Sequence, residues 1–279
     1  MMNALLNGKP SDTIKVDDRG LAYGDGLFET IEISQGKLLY WQRHMDRLIL
    51  GCQRLSIATP NCTQLLEEAM KLLSEQHEGV LKVIITRGGG GRGYRFPEPM
   101  TPTRLLTVHP KADFPDRYKT EGISLVLCKS RLGLNPQFAG LKHLNRLEQV
   151  MARSEFDAST AQEGLMQDYE GFPVEGVMSN LFWFSEGKLF TPDLSLCGVA
   201  GVIRSIILEL AERNKIPCQE GRFTMAQLWA ADELFMTNSL IGIWPVRQIS
   251  EQPFLVGNMT QKLMDLLAEE RKNEMGFLR

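Results

Sequence analysis

The sequence predicts an α+β (mixed α/β) chain of two domains. Apolar residues follow a two-residue period in some stretches and a helical period in others, and both kinds occur in both halves. A polar stretch that follows Pro110 and contains Pro115, residues 111–122, reads as an interdomain linker between domains at 1–110 and 123–279. A chain of 279 residues, 43% of them hydrophobic, has enough apolar material for a core in each.

Residues 28–33 alternate as a strand, Gln35-Gly36 makes a turn, and 37–40 returns. Met45, Leu48, Ile49, Cys52 and Leu55 then recur at helical spacing and predict a helix over 42–55, followed by a second over 63–75. Strands are predicted at 80–86 and 104–109, flanking a glycine-rich loop. The second domain opens with a strand at 123–128. A helix is predicted from near Leu141, with Leu144, Leu147, Val150 and Met151 on its inner face. Short strands with turn signals follow. Helices are predicted at 202–213, entered through Gly198 and Gly201, and at 259–272, with strands around 233–237.

Composition excludes several classes. The net charge of −3 has no like-charge block, so neither nucleic acid nor an anionic membrane surface is an expected partner. The five cysteines are odd in number and show no Cys-x-x-Cys, and the four histidines are scattered. Reduced thiols, a cytoplasmic location and no metal site are therefore expected. The N-terminus lacks a signal-peptide pattern, and no apolar stretch is long enough to span a bilayer. A soluble protein is expected.

Individual residues leave two readings open. Lys142, in Gly-Leu-Lys-His-Leu-Asn, is either a solvated lysine or, if buried, an amine available for covalent chemistry on a carbonyl. Glu175 is either a solvated turn acid or a carboxylate that holds a cofactor's ring nitrogen protonated. Arg47 is either an exposed cation beside Asp46 or a guanidinium offered to a phosphate. The Gly198–Gly201 entry to a helix is either ordinary or an anion site. The Arg-Gly-Gly-Gly-Gly-Arg-Gly-Tyr segment from Arg87 to Tyr94 is neither a Walker loop nor a dinucleotide fingerprint. It is either a flexible hairpin loop or a mobile element that places Arg92 and Tyr94 over an acidic substrate. Thr30, in Gly-Asp-Gly-Leu-Phe-Glu-Thr, is a strand residue whose hydroxyl could assist proton transfer.

In their order along the chain, these pieces resemble the fold-type IV pyridoxal-phosphate (PLP) enzymes: branched-chain aminotransferases, D-amino-acid transaminases and aminodeoxychorismate lyases. The matching stretches are 23–30, 44–48, 142–145, 175–180, 201–204 and 238–246. GLKHLNRLEQV, GDGLFET and TRGGGGRGY are most similar to the lyase branch. The resemblance implies a two-domain fold with pyridoxal 5'-phosphate at the domain interface, and a homodimer. It implies that Lys142 holds the cofactor covalently and that Glu175 partners its pyridine nitrogen. Arg47, the backbone at Val202 and Ile203, and the Asn238-Ser239 turn would hold its phosphate. That turn lacks the Gly-Thr pair of the branched-chain enzymes. Thr30 would sit near the reacting lysine, and Arg92 and Tyr94 on the substrate side. The implied reaction removes pyruvate from 4-amino-4-deoxychorismate to give 4-aminobenzoate for folate synthesis. The alternatives are a D- or branched-chain aminotransferase of the same fold and, from another class, a phosphate-ligand binder or an Arg-Gly nucleic-acid module.

Overall fold

Leu27, Ile31 and Ile33 alternate along one strand with Phe28, Thr30 and Glu32, so one face of that strand is apolar and must be covered. The computed structural model describes residues 4–73 and 77–277. The chain divides into two compact units, Met1–Ala112 with Leu141–Asn145 and Glu274–Arg279, and Asp113–Gly140 with Arg146–Asn273.

The first unit contains β1 (Ala4–Leu6), β2 (Lys9–Pro10), α1 (Arg19–Tyr23), β3 (Gly26–Ser34), β4 (Lys37–Leu38), α2 (Trp41–Arg54), α3 (Cys62–Leu73), β5 (Glu78–Thr86) and β6 (Thr103–His109). The strands form one antiparallel sheet in the order β2-β1-β6-β5-β3-β4. Helix α2 buries Met45, Leu48 and Cys52, at i, i+3 and i+7, in one cluster with the apolar residues of β3. Each such side chain contributes roughly 1.5–3 kcal/mol. The expected return strand 37–40 is shorter, because Tyr40 takes a left-handed conformation (φ 56°) and the chain turns into α2.

The second unit contains α4 (Arg117–Thr120), β7 (Ile123–Leu132), α5 (Leu147–Arg153), β8 (Glu163–Asp168), β9 (Pro173–Gly176), β10 (Asn180–Ser185), β11 (Lys188–Pro192), α6 (Val202–Arg213), β12 (Cys218–Gly221), α7 (Met225–Trp229), β13 (Glu233–Asn238), β14 (Gly242–Ile249), β15 (Gln252–Pro253) and most of α8 (Asn258–Phe277). Its sheet runs β12-β11-β10-β13-β14-β7-β8-β9, with β15 on β14. A further pairing of β9 with β10, at Glu175 opposite Asn180, closes six of the strands into a ring.

Two further sequence expectations differ from this structure. Of residues 111–122, read as a linker, 111–112 belong to the first unit and 113–122 are tied into the second: α4 lies there, and the ring of Tyr118 is 5.2 Å from that of Trp244. The helix expected from Leu141 begins only at Leu147, and Leu147, Val150 and Met151 are exposed rather than inward. Strand contacts take the backbone that such a helix would need. Phe28 N–H donates to the Lys142 carbonyl at 3.0 Å, and Leu144 N–H donates to Gly26 at 3.0 Å. Lys142 is thus extended beside β3, not in the first turn of a helix. No helix among the described residues is long and apolar enough to cross a membrane.

Candidate active site

In the first unit, β3 and the 141–145 segment carry two of the residues expected at the site, Thr30 and Lys142. The bridge between Leu27 and His143 lays the segment along β3. The Lys142 Nζ stands 4.4 Å from the centre of the Phe28 ring. Strand alternation puts Thr30 on the same face of β3 as Phe28. Lys82, opposite Thr30 in register, also lies over Phe28, with Nζ 5.4 Å from the ring centre.

On the other face of β3, Glu29 is buried among apolar residues and meets α2. Its carboxylate accepts from Arg47 Nε at 2.8 Å and also pairs with the Arg47 Nη2, and His44 Nδ1 lies 2.7 Å away. Burial alone would push this carboxyl up. The Arg47 charge and the His44 and Arg47 hydrogen bonds override it and hold Glu29 at about 2. Burial pushes His44 below its ordinary value, which favours the neutral ring. Arg47 is therefore a mostly buried guanidinium locked by a carboxylate, not an exposed cation beside Asp46.

In the second unit, Glu175 is the penultimate residue of β9 and is also buried. It accepts from the Val199 amide at 2.8 Å and from Asn180 Nδ2 at 3.4 Å, and Asn180 Nδ2 also donates to the Val199 carbonyl at 2.8 Å. Helix α6 begins at Val202, Ile203 and Arg204 with Gly201 as its cap, and no side chain caps it. Its first amides are therefore available to an anion, helped by the helix dipole. Gly201 cannot be larger, since a Cβ there would stand 2.0 Å from Asn180 Oδ1. The Asn238 side chain is occupied in shaping its own turn: Oδ1 accepts from Leu240 at 2.9 Å and Ile241 at 3.0 Å, and Nδ2 donates to the Met178 carbonyl at 3.0 Å.

Arg92 and Tyr94 are exposed in the loop between β5 and β6, and the Tyr94 ring is 5.6 Å from that of Tyr23. Beneath that loop, Arg19 donates to Asp25 at 2.9 Å and to the Gly93 carbonyl at 2.9 Å, and Arg87 donates to Asp25 at 2.8 Å. Within the first unit the structure thus brings together Lys142 and the Thr30 face of β3. Within the second it brings Glu175, Asn180 and the entry to α6 together. Sequence reasoning gave no role to Glu29, His44 or Asn180. An acid at an apolar position of β3 was the available signal for Glu29, and His44 with Arg47, three apart on α2, the signal for its partners.

Residues 26–249 match the amino-transferase class IV family. An aminodeoxychorismate lyase from Vibrio harveyi is 36% identical over 92% of this chain and 97% of its own length. The crystal structure of 4-amino-4-deoxychorismate lyase from Pseudomonas aeruginosa superposes with a TM-score of 0.92 at 45% identity, covering 95% of this chain and 98% of that one. The branched-chain amino acid aminotransferase of Escherichia coli reaches a TM-score of 0.87 at 22% identity over 98% and 95% of the two chains, a likeness of fold alone. The fold is therefore the fold-type IV aminotransferase fold. With four-fifths of its length matched, the chain belongs to the amino-transferase class IV family.

Proposed function

We propose that this chain is a PLP-dependent carbon–oxygen lyase that converts 4-amino-4-deoxychorismate to 4-aminobenzoate and pyruvate. The observation that carries the reading is the 45% identity to a lyase of that name across 95% of the chain. The residues present suit the cofactor. Lys142 offers an amine to its aldehyde, and Glu175, a buried acceptor, suits a protonated pyridine nitrogen. The uncapped start of α6, with Val202 and Ile203, suits a phosphate, as do Arg47 and the Asn238-Ser239 turn.

When bound, PLP supplies an electron-withdrawing ring that stabilises negative charge on the carbon next to the substrate nitrogen. Lys142, on the Thr30 face of β3, takes the proton from that ring carbon. The carbon–oxygen bond at the neighbouring ring carbon then breaks. Its electron pair leaves with enolpyruvate, and the ring gains its last double bond and becomes aromatic. Lys142, assisted by the Thr30 hydroxyl, returns the proton to the enolpyruvate methylene, giving pyruvate. Glu175, a buried acceptor, would hold the pyridine nitrogen of bound PLP protonated. Arg92 and Tyr94 face the substrate's acidic groups. The enzyme works as a homodimer in the cytoplasm.

A coupled assay tests the reaction. Pyruvate and 4-aminobenzoate are expected in equal amounts with no 2-oxo acid acceptor present. Strict dependence on 2-oxoglutarate, with glutamate formed, would establish an aminotransferase instead. Lys142→Ala should lower turnover by at least the roughly 10²–10⁴-fold of general acid–base catalysis and abolish the visible absorption of the covalently held cofactor. Wild-type turnover in that variant would remove Lys142 from the mechanism.

A further inference from the structure

Glu163, at the start of β8, is as buried as Glu29 but has no cationic partner among the described residues. Its two oxygens take four neutral donors. Oε1 accepts from the amides of Gly164 at 2.9 Å and Val177 at 3.1 Å. Oε2 accepts from the Met178 amide at 3.2 Å and the Ser179 hydroxyl at 2.7 Å. Three of the four donors belong to residues 177–179, the loop that joins β9 to β10. Gly176 makes room for this contact, because a Cβ there would stand 3.0 Å from the Glu163 carboxyl carbon and 2.5 Å from Ser179 Oγ.

That loop has three further connections. Glu175 precedes it and Asn180 follows it, and the two are paired across the hairpin at the point where the strand ring closes. Between them, the Met178 carbonyl accepts from Asn238, whose Oδ1 shapes the turn at 238–241. One buried carboxylate therefore clamps the loop that aims Glu175 and supports the turn beside it.

We propose that Glu163 is a positioning residue for the cofactor, clamping loop 177–179 so that Glu175 meets the pyridine nitrogen and the 238–241 turn keeps its phosphate-receiving shape. The proposal rests on the PLP assignment above. It predicts a particular fault in Glu163→Gln. The amide group that replaces one carboxylate oxygen presents hydrogens to donors, so at least one backbone-amide hydrogen bond is lost even where the Ser179 hydroxyl turns to accept, and the loop shifts.

Binding to the full-length chain is measured by equilibrium dialysis with three probes: PLP, pyridoxal and inorganic phosphate. Glu163→Gln should weaken PLP by about tenfold or more, the equivalent of one lost hydrogen bond to a charged group. Pyridoxal should weaken as well, reporting the Glu175 arm, and phosphate should weaken, reporting the Asn238 arm. The absorption maximum of bound PLP should also move, which a simple loss of stability would not cause. If Glu163→Gln fails to fold, Ser179→Ala removes a single donor and should weaken PLP by about threefold, with the same spectral shift. PLP binding within twofold of wild type, with an unmoved spectrum, in whichever variant folds, overturns the proposal. A wild-type chain that does not bind PLP at all overturns the cofactor assignment, and the clamp with it.

Discussion

Glu29 and Glu163 occupy comparable places in the two units: each is a glutamate on a strand with almost no exposed surface. Their surroundings differ in charge. Glu29 faces Arg47 and His44, and its carboxyl is held at about 2. Among the described residues, Glu163 faces only neutral amides and a hydroxyl. Burial lifts its carboxyl above the ordinary 4.5, and the hydrogen bonds pull the other way without prevailing. A carboxylate can thus be kept inside a protein by a counter-charge or by saturating its lone pairs. The two solutions respond differently to mutation and to acid. The first ties a strand to a helix in the region that holds Arg47, and the second ties a strand to a loop beside Glu175.

The largest effect expected from this difference is at Arg47. Arg47→Met removes the guanidinium and leaves a buried carboxylate with His44 alone, costing about 3–5 kcal/mol of stability. Urea unfolding of the variant measures it. A loss below 1 kcal/mol, smaller than the ~1 kcal/mol expected for one neutral hydrogen bond, would erase the distinction between the two sites.

Acid is the next probe. Glu29 falls from an ordinary 4.5 to about 2 on folding, so its ionised form stabilises the native state. That contribution is complete above about 4.5 and is lost as pH falls towards about 2, a total of about 3 kcal/mol. Glu163 is shifted upwards, so its sign is opposite: its contribution is complete below 4.5 and is lost as pH rises through its raised value. Stability curves of Glu29→Gln between pH 2 and 5 should therefore be flatter than wild type. Those of Glu163→Gln should keep the wild-type acid limb. Parallel limbs for wild type and Glu29→Gln would refute the assignment.

The smallest effect is at Ser179. Replacing it with alanine deletes one neutral donor to Glu163 and should cost roughly 0.5–1.5 kcal/mol, read as a small fall in the thermal midpoint. A cost equal to that of Arg47→Met would mean that neutral donors hold a buried charge as firmly as a cation does.

Legibility in the sequence follows the range of the interactions. Helix α2 was readable because Met45, Leu48 and Cys52 repeat within two turns, and β3 because its alternation lies within nine residues. Lys142, Glu175, Arg47 and Thr30 were reachable as members of a motif order, but their surroundings were not. The apolar spacing of Leu144, Leu147, Val150 and Met151 argued for an inward helical face. The structure instead holds 142–144 extended against β3, more than a hundred residues away in sequence. Glu163 gave no local signal at all, since its partners lie 14 to 16 residues on, except for the adjacent Gly164.

The sequence by itself determined the alternation of helices and strands and the family, because those are carried by residue type, by spacing along one element and by the order of motifs along the chain. Tertiary structure alone decided which backbone carries Lys142, which buried acid receives a cation and which receives only amides, and where the strand ring closes. Those outcomes depend on hydrogen bonds and charges contributed by segments far apart in the chain, and no local pattern encodes which distant group will arrive.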